Sequence, residues 1–186
     1  MYQDFWDGRK YNVSKNSEFA NQTFVVLPTE NIGRLNTFAK KLQAQDIEIY
    51  VNTKPIQTKS AIKQSGDSQE NYVIPAGSMI IPNLQPEAPL IAAILEFDAE
   101  IIESVLEEER RQTLKNGSSV MYDTTAFNLT MMYGLEAVTV KENIQGNLKQ
   151  WESSKVDNTI NKNALMWAVN GMDDRSVAFA ARLMER

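Results

Sequence analysis

Apolar and polar positions along the chain fall into a mixture of compact runs and helical stripes. Residues 2–16 place Tyr2, Phe5, Trp6 and Tyr11 roughly on one helical face, which predicts a short amphipathic helix interrupted by Gly8. The β-branched and aromatic run TFVVL at 23–27 predicts a buried strand. A turn and helix cap follow at 28–31, and Leu35, Phe38, Ala39 and Leu42 recur at helical spacing over 32–45. Alternation over 47–51 predicts a second strand. Strand, helix and strand in this order form a βαβ unit, which implies a parallel strand pair with a right-handed crossover.

Downstream, residues 57–70 are polar with one glycine and read as an exposed loop. Short strands are expected at 72–74 and 79–81, joined by Pro75-Ala76-Gly77-Ser78, where Gly77 can adopt positive φ without steric cost. A turn-rich stretch at 82–89 precedes a helical pattern over 90–111, with a break near Phe97 and Asp98. A helix at 124–133 is stopped by Gly134, and LEAVTV at 135–140 alternates as a strand. Residues 141–163 read as loop with a helical turn around Leu148 and Trp151. ALMWAV at 164–169 reads as a buried strand, residues 170–174 as a glycine turn with an acidic cap, and residues 175–186 as a helix.

The ends of this pattern match each other. Residues 23–45 align without gaps on 164–186, with Arg34 on Arg175, Phe38 on Phe179, Ala39 on Ala180 and Leu42 on Leu183. Either a duplication or the ordinary likeness of two βα units accounts for this. The second unit lacks the strand that follows the first, so the expected sheet is cut short at the C-terminus. The organisation expected is an N-terminal helix and linker at 1–20 and one α/β module at 21–186. A cut sheet would leave an open edge through which the chain could self-associate.

Composition changes this picture mainly by exclusion. The chain has 186 residues with neither histidine nor cysteine. By itself it cannot be a thiol enzyme, a Ser-His-Asp hydrolase or a histidine-ligated zinc enzyme. A net charge of −5 with scattered basic residues argues against a polyanion-binding face. No apolar run approaches the ~18–20 residues of a membrane span, and the N-terminus is not a signal peptide.

What chemistry remains belongs to carboxylates, Lys, Tyr, Ser and Thr. Glu100, Glu103, Glu107, Glu108 and Glu109 line a helix face but do not converge on one cation, so a solvated face is the expectation. Ser78 lacks the glycines of a nucleophile elbow or a phosphate loop. The stretches 31–34 and 171–174 stand at helix starts, where they act as caps or meet anions. Asp123 either caps the helix after it or, with Tyr122, contacts a ligand. Met121, Phe127, Met131, Met132 and Tyr133 read as core. If a ligand binds, the crevice at the carboxyl ends of parallel strands is the expected place. Asn31, Gln85, Tyr122, Asp123 and Asn170 are the candidate contacts. A carboxylate-based hydrolase would need two converging acids.

Several stretches together resemble a known family. They are YVIPAGSMIIP at 72–82, Gln85-Pro86, LIAAILE at 90–96 and YDTTAFNLTMMYGLEA at 122–137. They resemble the region downstream of the peptidase domain in large secreted bacterial zinc carboxypeptidases of the carboxypeptidase-A type. Phe127 stands where that family often has Trp, and Thr130 where it often has Pro. The resemblance implies a flavodoxin-like fold similar to class I glutamine-amidotransferase modules, a mostly parallel sheet with flanking helices. It also implies a secreted or periplasmic setting and an upstream peptidase domain as partner, with zinc bound there and no cofactor in this chain. Neither family's catalytic residues map onto any position here. The expectation is a non-catalytic accessory domain that packs against the peptidase domain or positions its substrate. The alternative is a small-ligand or peptide-binding module with no peptidase partner.

Overall fold

The computed structural model describes residues 2–97, 102–119, 128–153, 163–166 and 168–185. Helix α1 (Tyr2–Asn12) leads to strand β1 (Thr23–Val26) and helix α2 (Ile32–Gln43), followed by β2 (Tyr50–Asn52). Five short strands come next: β3 (Ile56–Gln57), β4 (Ser60–Lys63), β5 (Ser68–Glu70), β6 (Val73–Ile74) and β7 (Met79–Pro82). Helices α3 (Ala88–Leu95), α4 (Glu103–Asn116) and α5 (Leu129–Met132) precede β8 (Ala137–Val140), β9 (Leu148–Gln150) and α6 (Asp174–Met184).

The main sheet has seven strands in the order β5-β4-β8-β1-β7-β2-β9, and every pairing in it is antiparallel. This overturns the expected flavodoxin-like, mostly parallel sheet. β1 and β2 do run parallel to each other, but β7 lies between them and is antiparallel to both. The cause lies in the residues. Met79, Ile80 and Ile81 are buried on both faces of β7, which suits a central position rather than an edge. β1 takes the middle of the sheet for the same reason.

Alternation then divides the core. Phe24 and Val26 of β1 and Met79 and Ile81 of β7 point to one face, where α2 and α3 cover them with Leu35, Phe38, Leu42, Ile91 and Leu95. Val25, Ile80, Val138 and Val140 point to the other face. There they meet Ile74 and Ile56 from the two-stranded sheet β3-β6. The result is a helical layer, a seven-stranded sheet and a small second sheet.

Three stretches differ from the sequence reading. Residues 57–70 are not an open loop: they include the β4-β5 hairpin, closed through Gly66 at φ +86°, and Ala61 is fully buried. Around Leu148 the chain forms edge strand β9 on β2, not a helical turn. The described part of 164–169 is not a strand, and Leu165 and Met166 are exposed, because no edge of the sheet pairs with it. Gly77 adopts φ +84° as expected, in the turn that joins β6 of the small sheet to β7 of the main one. The Ser78 hydroxyl is buried and donates to the Pro75 carbonyl at 2.8 Å, a structural bond. Among the described residues, no helix is long and apolar enough to cross a membrane.

Candidate functional site

The carboxyl end of β1 leads through residues 27–31 into α2, and this junction is built by local hydrogen bonds. Asn31 caps α2, its side-chain oxygen accepting from the Arg34 N–H at 3.0 Å. The second helix start comes from the far end of the chain. Asp173 caps α6, accepting from the Arg175 N–H at 2.9 Å.

The two caps are interlocked. The other Asp173 oxygen accepts from the Gly33 N–H of α2 at 3.1 Å. The Asn31 amide donates to Asp174 at 2.9 Å. Arg34 forks onto the Asp174 carboxylate through Nε and Nη2 at 2.9 and 2.8 Å, and Nη1 donates to the Tyr133 carbonyl at 3.2 Å. Arg175 forks onto Asp173 at 3.2 and 2.9 Å. The α6 start thus supplies most of the acceptors and the α2 start most of the donors, with Asn31 Oδ1 accepting one bond in return from the Asp174 N–H at 3.5 Å, and the two carboxylates sit in the favourable field of both N-termini.

Two glycines make this approach feasible. A side chain at Gly33 would fall 2.6 Å from Asp173 Oδ1 and 2.7 Å from Arg175 Nε. At Gly134, which sits at φ +56°, it would fall 2.8 Å from Arg34 Nη1. Each guanidinium lies over a glycine.

The electrostatics follow from this geometry. Asp173 is held at about 2, below the ordinary 3.8, chiefly by the Arg175 side chain and then by the backbone N–H groups of Arg175 and Gly33. Hydrogen bonding from Arg34, then from Asn31, lowers Asp174. Bonding to Asp174 raises Arg34 in turn, as Asp173 raises Arg175.

Beside this clasp lies a cleft of about 570 Å³, bounded by the first turns of α2, by α5 and the turn after it, and by α6. Arg34, Arg175 and Asp174 line it with polar groups, and Met131, Met132 and Ala178 with apolar ones. Asn128 positions this wall. It caps α5 through the Met131 N–H and donates to the carbonyls of Leu95 and Glu96 at the end of α3. Tyr133 packs edge-on against Phe38 at 5.6 Å between ring centroids.

Of the sequence candidates, the structure brings Asn31 and Asn170 to the same region. The Asn170 amide reaches Glu30 at 3.3 Å, next to the cap of α2. Gln85 is elsewhere and fully engaged: it accepts from the Glu48 N–H at 2.7 Å and donates to the Glu48 and Pro82 carbonyls. It clamps the segment before β2 and does not line the cleft beside the clasp. Tyr122 and Asp123 lie outside the described residues, as do Met121 and Phe127. Met131 and Met132, expected in the core, are exposed on the cleft wall instead. Sequence reasoning aligned Arg34 with Arg175 but did not bring the two together. The signal was present in the acidic pair Asp173-Asp174 at a helix start, which can meet a second helix start as well as cap its own.

Comparison with known protein families, with curated proteins and with solved structures finds no match for this chain, so the carboxypeptidase resemblance gains no support from them.

Proposed function

We propose that the chain is a non-catalytic accessory module that holds a short peptide or small ligand for a partner carrying the chemistry. The observation that carries this reading is the cleft between α2, α5 and α6. Its volume of about 570 Å³ is within the ~300–1,000 Å³ of small-ligand sites. Its mixture of a few placed polar groups with an apolar wall is what such sites use. The lining groups are suited to holding rather than reacting: Arg34, Arg175 and Asp174 are ion-paired, and the Thr37 hydroxyl donates to the Gly33 carbonyl at 2.9 Å. A peptidase domain, the partner implied by the resemblance, is one candidate to test.

NMR titration of the full chain with a library of small ligands and short peptides tests the reading. Shifts are expected to cluster on residues 33–37, 131–134 and 174–178. Ligand responses confined to other surfaces, or turnover of a peptide by the chain alone, would count against it.

A second reading is favoured by α6 itself. Val177, Phe179, Leu183 and Met184 give it an apolar face, yet none of its residues is buried. In this reading the face packs against a partner domain. The isolated chain should then bind an apolar dye such as ANS, and replacing Phe179 and Leu183 by Ser should reduce the signal. No dye binding, or no change in the double variant, would remove this reading.

A further inference from the structure

Two Asn-Gly pairs occur in the chain, and the fold treats them differently. In such a pair the glycine nitrogen can attack the amide carbon of the preceding side chain, because no Cβ hinders the approach. At Asn116-Gly117 that nitrogen is held. The Gly117 N–H donates to the Thr113 carbonyl at 2.9 Å at the end of α4, and the Asn116 amide donates to Gln112 at 2.8 Å. Asn170 and Gly171 are instead exposed in the turn before α6. Among the described residues the Gly171 N–H donates no hydrogen bond.

The same turn ties α6 to the rest of the chain. Asn170 Oδ1 accepts from the Met172 N–H at 2.9 Å, and the Asn170 carbonyl accepts from the Asp173 N–H at 3.3 Å. The Asn170 amide donates to the Glu30 carboxylate at 3.3 Å, next to the cap of α2.

We propose that Asn170 is a site of spontaneous deamidation that loosens the start of α6. The Gly171 nitrogen gives its proton to water and bonds to Asn170 Cγ. The bond from Cγ to the side-chain nitrogen breaks, and that nitrogen takes up a proton and leaves as ammonia. Water then adds to one carbonyl of the resulting succinimide and opens it to aspartate or isoaspartate at position 170. Water is the only co-reactant, and nothing is oxidised or reduced. Either product replaces an amide donor by a carboxylate facing Glu30, and like charges that close repel. Both groups are exposed, so water screens the repulsion and the result is local loosening rather than unfolding. Isoaspartate also routes the main chain through Cγ, which takes the acceptor of the Asp173 N–H off the backbone path.

The test ages the full chain in mildly alkaline heavy-oxygen water and follows oxygen uptake at each asparagine by peptide mass mapping. Uptake at Asn170 should outpace that at Asn116 by about tenfold or more, since a held N–H inside a helix resists the attack. Gly171→Ala should slow uptake at Asn170 about tenfold by restoring a Cβ. That Cβ would meet nothing within 4 Å, so the fold is expected to stay intact. Hydrogen exchange over residues 174–180 should quicken in proportion to the modified fraction. Asn170→Asp supplies the new charge without ageing and should quicken that exchange about twofold or more, and adding Glu30→Gln should reverse most of the change. Equal uptake at Asn170 and Asn116 would overturn the site. Unchanged exchange over α6 in the fully modified chain would overturn its consequence.

Discussion

Helices α2 and α6 begin alike and end in opposite surroundings. Both are capped by a side-chain oxygen, both carry an arginine in the first turn, and their apolar residues align as Phe38 with Phe179 and Leu42 with Leu183. Phe38 is completely buried and Phe179 is 53% exposed. Periodicity specifies which face of a helix is apolar, but the surrounding fold decides whether anything covers it. α2 follows a central strand and returns across the sheet, so its stripe falls on Phe24, Val26 and Ile81. α6 follows a described segment that pairs with no strand, and among the described residues the hydrogen bonds that tie it to α2 come from its first turn and cap.

The largest effect separating the two is therefore expected in the core. Phe38→Ala should destabilise the fold by about 3–5 kcal/mol, as for other buried aromatic truncations. Urea unfolding measures it. A loss below ~1 kcal/mol would mean that α2 is not the helix that closes the first face.

Next comes the clasp. Asp173→Ala removes the α6 cap, the bond to the Gly33 N–H and the fork to Arg175 together. Loss of a helix cap costs about 0.5–2 kcal/mol. The effect should be local, appearing as faster hydrogen exchange over residues 174–180 with the urea midpoint nearly unchanged. Slow exchange there in the variant would show that α6 is held by something else.

Acid should do the same reversibly. The Asp173 carboxyl is depressed in the folded chain, from 3.8 to about 2. Its contribution is therefore complete above the ordinary carboxylate value and is lost as pH falls through about 4 toward 2. Asp174 is lowered too and adds in the same direction. Exchange over α6 should be insensitive to protonation between pH 5 and 7, after correction for intrinsic rates, and rise below about pH 4. Asp173→Asn should blunt that rise. A transition centred near pH 6 would point to other groups.

The contrast also explains what was legible in the sequence. β1, α2, β7 and β8 were readable because each has an uninterrupted apolar run or stripe that the fold buries. Strand direction was not, because it depends on β7 entering between β1 and β2 from residues far along the chain. The β4-β5 hairpin is mostly polar, and only Ala61, Ile62 and the Ser65-Gly66-Asp67 turn marked it. At the site, the helix starts at Asn31 and Asp173 were visible as caps, while their interlocking was not. Nothing local in the sequence states that two positions 140 apart share a hydrogen bond. Gln85 is buried and bonded to backbone groups, a state that the sequence does not distinguish from a glutamine awaiting a ligand.

The smallest expected effect is the sharpest test of the comparison. Phe179→Ala aligns with Phe38→Ala and removes the same atoms. Truncating an exposed ring should change stability by no more than about 0.5 kcal/mol, since little area leaves water when α6 takes its place on the clasp. Its consequence should appear instead in whatever covers that face. If urea unfolding shows a loss approaching that of Phe38→Ala, then Phe179 is buried within the isolated chain and α6 is a core helix like α2. If stability holds while ANS binding falls, the exposed stripe is a free surface. The two helices would then differ in the partner they await, and α2 alone would find its partner within the described fold.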